Sequence, residues 1–201
     1  MKREKYSLYY VTSAIHGCHF CVPSAVHEAL IIKAETTPGL LTYKLEGPTY
    51  RYDEDGKEMA TTIAMTASVA GGAIQHWDVS NGTKGSKPSM ARQVKEAHAS
   101  SSNIERVLVC RGEWLINQVE WGNRKLAHAY LFQGRRFDTA KHEEKALMTM
   151  NGHRSSLGAL TSLLGLTNAQ GYLVFLRCWL KGRVSWDITA APLSLELAIK
   201  G

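Results

Sequence analysis

Hydrophobic and polar positions alternate over short periods through the first 80 residues of the chain. Residues 6–15 are rich in Tyr, Val and Thr, a composition that favours an extended strand. Ser24 then precedes a helix with one apolar side, which Pro38 and Gly39 end. Turn sequences divide the stretch that follows into antiparallel strands, predicted over 40–45, 48–53, 58–69 and 73–80.

A basic loop, NGTKGSKPS, separates these strands from a helix predicted over residues 89–103. The segment RVLVC predicts one more strand over 106–110, and a helix is predicted over 117–132. These elements favour an α/β domain, a mixed sheet flanked by helices, over residues 1–132.

From about residue 133 the pattern becomes that of three helices followed by two short strands. The first two helices lie in QGRRFDTAKHEEKALMTMNG and HRSSLGALTSLLGL, the third is predicted over 168–181, and the strands flank the turn TAAPL. This order is typical of a winged-helix domain, which places its third helix at DNA. A helical dimerisation module of the same size is the alternative. We predict this second domain over residues 133–201.

The composition is that of an ordinary globular protein. The chain has 201 residues, 44% of them hydrophobic and 21% charged, which is enough for one large or two small domains. No run of eighteen apolar residues predicts a membrane span, and no continuous apolar stretch follows the basic start. We therefore expect a cytoplasmic protein with reduced thiols and no contact with a membrane.

The positive charge is concentrated in the last 80 residues. Residues 1–121 contain 13 Lys+Arg and 13 Asp+Glu, whereas residues 122–201 contain 11 and 5, which accounts for the whole net charge of +6. A basic segment of this size supplies the sequence-independent attraction to phosphates that nucleic-acid binding requires. A solvated surface that happens to be basic is the alternative.

A possible metal or redox motif lies in HGCHFC. Cys18 and Cys21 have zinc-ligand spacing, and His16, His19 and His27 are near in sequence. A structural zinc site normally takes four ligands from two separated pairs, and the other two cysteines are isolated in the sequence. A redox pair needs a thioredoxin-like context, which the pattern does not offer. We predict a local turn here and no metal site.

The N-terminal part follows the order of a restriction-endonuclease core of the PD-(D/E)xK type: a helix, a β-meander, and a helix–strand pair. Such enzymes place a helix glutamate and two strand acids around one or two Mg²⁺ ions, with a lysine nearby. The stretches SAVHE, TPGLLTYKLEGPTYRYDEDGKE, ATTIAMTASV and QHWDVS resemble the N-terminal endonuclease domain of the TnsA family. IERVLVCRGEWLINQVEWGNRKLAHAYL is similar to that domain's closing strand and helix, and residues 155–199 resemble the family's C-terminal winged-helix domain.

The resemblance implies a degenerate active site. Glu28 matches the helix acid, and Asp78 matches the acid or glutamine of the second strand. Thr62 stands at or near the position of the missing central aspartate, and Ser80 stands where the lysine belongs. Two acids alone do not readily hold Mg²⁺ against its own hydration. Local roles are the alternative, with Glu28 in a capping box on Ser24 and Asp78 capping the turn that follows.

We therefore expect a DNA-associated component of a heteromeric transposition complex, with a nuclease core that is inactive and needs no cofactor. The resemblance implies two partners besides DNA: a TnsB-like DDE transposase and a TnsC-like AAA+ ATPase. One alternative is an active Mg²⁺-dependent endonuclease that cuts the 5′ transposon ends, with Glu28, Asp78 and a migrated acid such as Glu58 or Asp55. A phage or mobile-element regulator that uses the fold to bind proteins is another.

Basic residues in both halves are the predicted phosphate contacts. They are Lys84, Lys87, Arg92, Lys95, Arg124, Lys125, Arg135, Arg136, Arg154, Arg177, Lys181 and Arg183. Trp179 and Trp186 are expected to pack in the core of the second domain rather than to stack on bases.

Overall fold

The structure is a computed structural model that describes residues 8–80, 87–110, 117–150 and 154–200. Its strands are β1 (Tyr9–Thr12), β2 (His19–Val22), β3 (Leu40–Leu45), β4 (Thr49–Glu54), β5 (Lys57–Thr62), β6 (Met65–Val69), β7 (Ile74–Ser80), β8 (Glu105–Cys110), β9 (Arg154–Ser156) and β10 (Ala198–Lys200). Its helices are α1 (Ala25–Glu35), α2 (Met90–Ser101), α3 (Gln118–Gln133), α4 (Ala140–Met150), α5 (Leu157–Leu163) and α6 (Asn168–Leu180). The predicted α/β class with a mixed sheet is confirmed.

The chain forms two compact units, and neither is continuous in sequence. Unit 1 comprises Met1–Tyr9, Cys21–Ile31 and Leu40–Ile116, and unit 2 comprises Tyr10–Phe20, Ile32–Gly39 and Asn117–Gly201. The sequence pattern placed the boundary between residues 132 and 133, whereas helix α3 belongs to unit 2.

Asn123 shows why α3 belongs to unit 2. Its side-chain amide donates to the carbonyls of Ile188 and Ala191, at 2.8 Å each, and accepts from the Leu193 amide at 2.8 Å. One buried side chain thus ties α3 to the C-terminal segment at three points.

A four-stranded mixed sheet forms the centre of unit 1, in the order β3-β6-β7-β8. The pairs β3/β6 and β6/β7 are antiparallel, and β7/β8 is parallel. Parallel neighbours require a crossover, which helix α2 supplies. Ser89 caps this helix through its hydroxyl, which accepts from the Arg92 amide. Met65 and Trp77 on the central strands are buried with Ile31 of α1.

The strand predicted over 58–69 is interrupted at Ile63 and Ala64. The Ile63 amide donates to the Pro48 carbonyl and the Glu46 amide donates to the Ala64 carbonyl, so the chain leaves the β4–β5 hairpin here and enters the four-stranded sheet. Gly47 permits the close crossing, because a Cβ there would lie 2.7 Å from Thr66 Oγ1. Continuous alternation in sequence hid the break.

Helix α6 is the central element of unit 2. Seven of its residues are buried: Gly171, Leu173, Val174, Phe175, Leu176, Cys178 and Trp179. Helices α3, α4 and α5 pack against it, and Trp186 packs on its Trp179 with the ring centroids 5.0 Å apart. The expected core positions of Trp179 and Trp186 are confirmed. The exposed residues of this helix are at its N-terminal end, Asn168 and Ala169.

The C-terminal strand pairs differently from the prediction. Strand β10 pairs antiparallel with β9, as in the register Ile199↔Ser155, instead of closing a hairpin around TAAPL. The β9 residues fall in a segment predicted as helix, and Ser156 caps α5 with its hydroxyl on the Ala159 amide. A strand of three residues is too short for an alternation of apolar and polar residues to be recognised in the sequence.

Buried charges also hold unit 2 together. Glu143 on α4 accepts from Thr139 Oγ1 and from Lys181 Nζ, both at 2.6 Å. Burial raises the pKa of the Glu143 carboxyl, but these hydrogen bonds, with the charges of Lys181 and Arg177, outweigh it and leave the pKa below the ordinary value.

Glu35, fully buried, ties residues 10–20 to unit 2. Its carboxylate accepts from the Ser13 hydroxyl and from the Ala14 amide, the latter at 2.7 Å. Nε2 of His128 lies 3.3 Å from the same carboxylate, without hydrogen-bond geometry.

Within the described ranges, no single helix is long and apolar enough to cross a membrane. Helices α5 and α6 together have the required length and composition, but the chain bends by 111° between them.

Gly171 provides a test of the enclosed helix. A Cβ at this position would lie 2.1 Å from Thr161 Oγ1, so Gly171→Ala is expected to destabilise the protein by about 1–3 kcal/mol. Gly122→Ala on helix α3 is the matched control, because its Cβ meets no atom within 4 Å and alanine favours a helix. Thermal unfolding measures both, and equal melting temperatures would contradict the packing described for α6.

Candidate functional site

The candidate site is a cavity of about 720 Å³ in unit 1, called here the hairpin cavity. Helix α1 contributes His27, the turn after β3 contributes Glu46, and the β4–β5 hairpin contributes Thr49 and Thr62. Strand β7 and helix α2 complete the wall with two further charged residues, Asp78 and Lys95. The cavity therefore joins the first helix, the hairpin, a central strand and the crossover helix of the unit.

Asp78 is the most strongly bound of these residues. Lys95 Nζ donates to its Oδ2 at 2.7 Å, and Arg106 of the neighbouring strand β8 donates to the same oxygen at 3.3 Å. Its Oδ1 accepts from the Val79 amide at 3.0 Å. The carboxylate is buried, at 5% exposure, and is shared by two cations that come from different elements.

Lys95 was predicted as a phosphate contact, and Arg106 was not singled out. The sequence contained a signal that Lys95 is buried. Lys95 lies one helical turn before Ala99, and these two are the buried residues of α2. A lysine on the buried stripe of an amphipathic helix needs a counterion. Arg106 lies in register with His76 on the paired strand, but a strand arginine carries no comparable signal of its partner.

Two histidines belong to the same polar cluster. Burial lowers the pKa of His27, and the charge of Lys95 lowers it further, against the opposing effect of Asp78. Burial also lowers the pKa of His76, with Arg106 adding to the shift. His76 is 4% exposed, and its Nδ1 has no hydrogen-bond partner among the described residues. Both shifts favour neutral imidazoles beside an already cationic cluster.

The donor set around Asp78 does not fit Mg²⁺. The ion prefers six oxygen ligands in octahedral geometry, whereas Oδ2 of Asp78 already faces Lys95 and Arg106. Two unit charges about 4 Å apart repel by about 4 kcal/mol at an effective dielectric constant of about 20, and a divalent ion doubles this cost for each cation. No group of three or more His, Cys, Asp or Glu in the described part of the chain has metal-binding geometry.

The other residues of the predicted catalytic set differ in their position relative to the hairpin cavity. Glu28 is half-buried on α1 and is not among the described residues that line the hairpin cavity, where its neighbour His27 is found. Thr62 does line the cavity, and its hydroxyl is 2.8 Å from that of Thr49.

The acids proposed as migrated substitutes are on the exposed part of the hairpin. Glu58 pairs with Arg51 at 3.0 Å, and both side chains are largely exposed. Along a strand, Glu58 is four residues from Thr62, a distance of about 13 Å. Asp55 is in the β4–β5 turn with a φ of 54°. The acidic residue that lines the cavity together with Asp78 is instead Glu46, which the sequence did not single out.

A second cavity in unit 1 is also lined by Asp78. This helix cavity has a volume of about 370 Å³ and is lined by Ser80, Lys87, Arg92 and Leu108, among others. Asp78 and Lys95 line both cavities. Ser80 therefore lies beside the ion pair, and Lys95 supplies the ammonium group near Asp78 that residue 80 lacks.

The predicted phosphate contacts fall into two groups. Six of them interact with other groups of the protein. Three form ion pairs: Arg92 with Glu96, Lys95 with Asp78, and Lys181 with Glu143. Arg135 lies over the Phe132 ring, and Arg124 and Arg177 donate to backbone carbonyls. Lys87, Lys125, Arg136 and Arg183 are exposed. Lys84 lies outside the described residues, as does the side chain of Arg154. The placements favour structural roles for Arg124 and Arg177.

The cysteine pair is in the β1–β2 region. Both Cys18 and Cys21 are exposed free thiols, and residues 19–22 form strand β2. Cys18 lies just before strand β2, and Cys21 lies within it.

The sequence matches no protein-family profile and no curated protein sequence.

The ion-pair cluster predicts an order of stabilities. Asp78→Asn leaves two buried cations without their anion and is expected to destabilise by about 3–5 kcal/mol. Lys95→Met leaves Asp78 paired with Arg106, so the loss is expected to be about 1–3 kcal/mol. Arg51→Ala removes an exposed pair and is expected to cost below about 1 kcal/mol. Urea unfolding measures all three, and an effect of Lys95→Met larger than that of Asp78→Asn would contradict the shared carboxylate.

Thiol reactivity tests the placement of the cysteines. Burial raises the pKa of Cys178 to about 11, and Cys110 is also buried. A thiol-specific reagent at pH 8 is expected to react quickly with Cys18 and Cys21 only, and with the buried pair only after unfolding, because the thiolate is the nucleophile. Counting thiols in native and denatured protein provides the measurement; fast reaction of all four in the native protein would refute it.

Proposed function

We propose that the chain is a TnsA-like, DNA-associated component of a heteromeric transposition complex, with a nuclease core that binds DNA and does not cleave it. The observation that carries the proposal is the environment of Asp78. The acid is on a central strand, at the position that the resemblance assigns to a catalytic acid, but two cations neutralise it. Thr62, where the family has an aspartate, is bonded to Thr49.

The order of elements supports a restriction-endonuclease-like core in unit 1. Helix α1 precedes the antiparallel strands β3, β6 and β7, and helix α2 connects β7 to the parallel strand β8. This is the helix, meander and helix–strand order that the sequence suggested, with the β4–β5 hairpin inserted between β3 and β6.

Unit 2 supports a winged-helix-like domain that serves assembly more than DNA reading. Three helices, α4 to α6, are followed by a tail whose last strand pairs with β9, just before α5. Because α6 is enclosed, we assign DNA contact to exposed cations such as Lys125, Arg136 and Arg183 rather than to this helix. The resemblance then makes a TnsB-like DDE transposase and a TnsC-like AAA+ ATPase the expected partners of this unit.

A specific observation also favours the alternative function, an active endonuclease with migrated residues. Lys95 provides an ammonium group 2.7 Å from Asp78, and Glu46 provides a second carboxylate in the wall of the same cavity. Such a site requires Arg106 to release Asp78 before a metal ion binds.

Two assays on the purified protein separate these functions. The affinity for duplex DNA is measured by fluorescence polarisation. The logarithm of the binding constant is expected to fall linearly with the logarithm of the salt concentration, because phosphate contacts release counterions. Supercoiled plasmid with Mg²⁺ or Mn²⁺ is expected to stay uncut at the level of a buffer control. The Asp78→Ala variant, purified in the same way, is the control for a contaminating nuclease.

Three outcomes are informative. Nicking by the native protein that disappears in an Asp78→Ala protein shown by thermal unfolding to be folded establishes the endonuclease and refutes the inactive core. Salt-dependent binding without nicking supports the proposal. No salt-dependent binding to DNA, alone or with a transposase partner, overturns it in favour of a mobile-element regulator that binds proteins only.

A further inference from the structure

The helix cavity contains more positive charge than its one acid requires. Lys87, Arg92 and Lys95 line it together with Asp78, so its lining contains three basic residues and one acidic residue. Its volume of about 370 Å³ lies within the range of about 300–1,000 Å³ that is typical of small-ligand sites. The cavity is large enough for a phosphate group and part of the sugar attached to it.

The charged residues next to the cavity lining, Arg106 and Glu96, do not remove this excess of positive charge. Arg106 adds a fourth cation at Asp78, and Glu96 adds a second anion, 2.8 Å from Arg92 and 3.7 Å from Arg106. Four cations and two anions leave two positive charges. Glu96 is 45% exposed, so water screens its part of the cluster, whereas Asp78 and Lys95 are buried.

A charge excess of this size matches a phosphate monoester. A terminal phosphate has a charge between about −1.5 and −2 at neutral pH, whereas each phosphodiester of a DNA strand has one negative charge. Arginine and lysine recognise phosphate through charge-assisted hydrogen bonds, and Lys87 and Arg92 reach the cavity from the chain just before α2 and from its first turn.

We propose that the helix cavity binds a dianionic phosphate group, and that Lys87, Arg92 and Lys95 recognise it. The proposal rests on the proposed function in one respect, because a DNA-binding protein obtains this group from a 5′-phosphorylated DNA end. Free phosphate has the same chemistry. Lys95 is the positioning residue between the bound phosphate and Asp78, and Lys87 and Arg92 are the direct contacts.

The test compares two duplexes of one sequence with a 3′ fluorophore, one with a 5′-phosphate and one with a 5′-hydroxyl. The full chain is expected to bind the phosphorylated duplex about tenfold more tightly, the effect of one added charge-assisted hydrogen bond. Lys87→Ala and Arg92→Ala are each expected to remove this preference, so that the variant binds the two duplexes with equal affinity. Lys57→Ala on the exposed hairpin is the matched control and keeps the preference.

Equal affinity for the two duplexes, or a preference that survives both variants, overturns the proposal. Binding of inorganic phosphate, followed by the backbone amide signals of residues 87–95 in NMR, separates this result from failure of the proposed function. If no duplex binds but phosphate shifts these signals to saturation and Lys87→Ala abolishes the effect, the phosphate site stands and the DNA function falls. If phosphate produces no saturable shift and the duplexes bind equally or not at all, the phosphate site falls.

Discussion

The buried carboxylate of Asp78 is the constraint on which unit 1 depends. An ionised acid is stable in a protein interior only when charges and hydrogen bonds replace the water it loses. Here the replacements come from three places: Lys95 on α2, Arg106 on β8, and the Val79 amide on β7 itself. The shared carboxylate therefore fixes the crossover helix against two neighbouring strands, and Asp78 and Lys95 line both cavities.

The two cations at Asp78 also change which ions the cavities attract. A carboxylate with free lone pairs attracts a divalent cation, but one that already bonds two cations leaves the surroundings positive. The absence of an acid at Thr62 and the presence of two cations at Asp78 both make the site less attractive to a divalent cation. The same cations attract an anion such as phosphate.

Unit 2 shows why a charge count overestimates the binding surface. Its net positive charge suggested a wide phosphate-binding face. However, Arg124 donates to the buried Thr36 carbonyl, Arg177 donates to the partly buried Phe137 carbonyl, and Lys181 pairs with Glu143. A buried acceptor without a partner costs more than an exposed pair contributes, so such residues are fixed by folding.

The sequence by itself determined the types of the longer helices and of the strands in the four-stranded sheet, and the bounds of strands such as β3. It also determined the presence of an acid at 78 without an acid at 62 or a lysine at 80. Local periodicity and turn residues carry that information. The break at Ile63, the pairing of β10 with β9 and the enclosure of α6 depended on packing between distant segments. The charge state of the site was likewise decided by tertiary structure, because Lys95 and Arg106 are 17 and 28 residues from Asp78, and electrostatic energy depends on distance in space rather than in sequence.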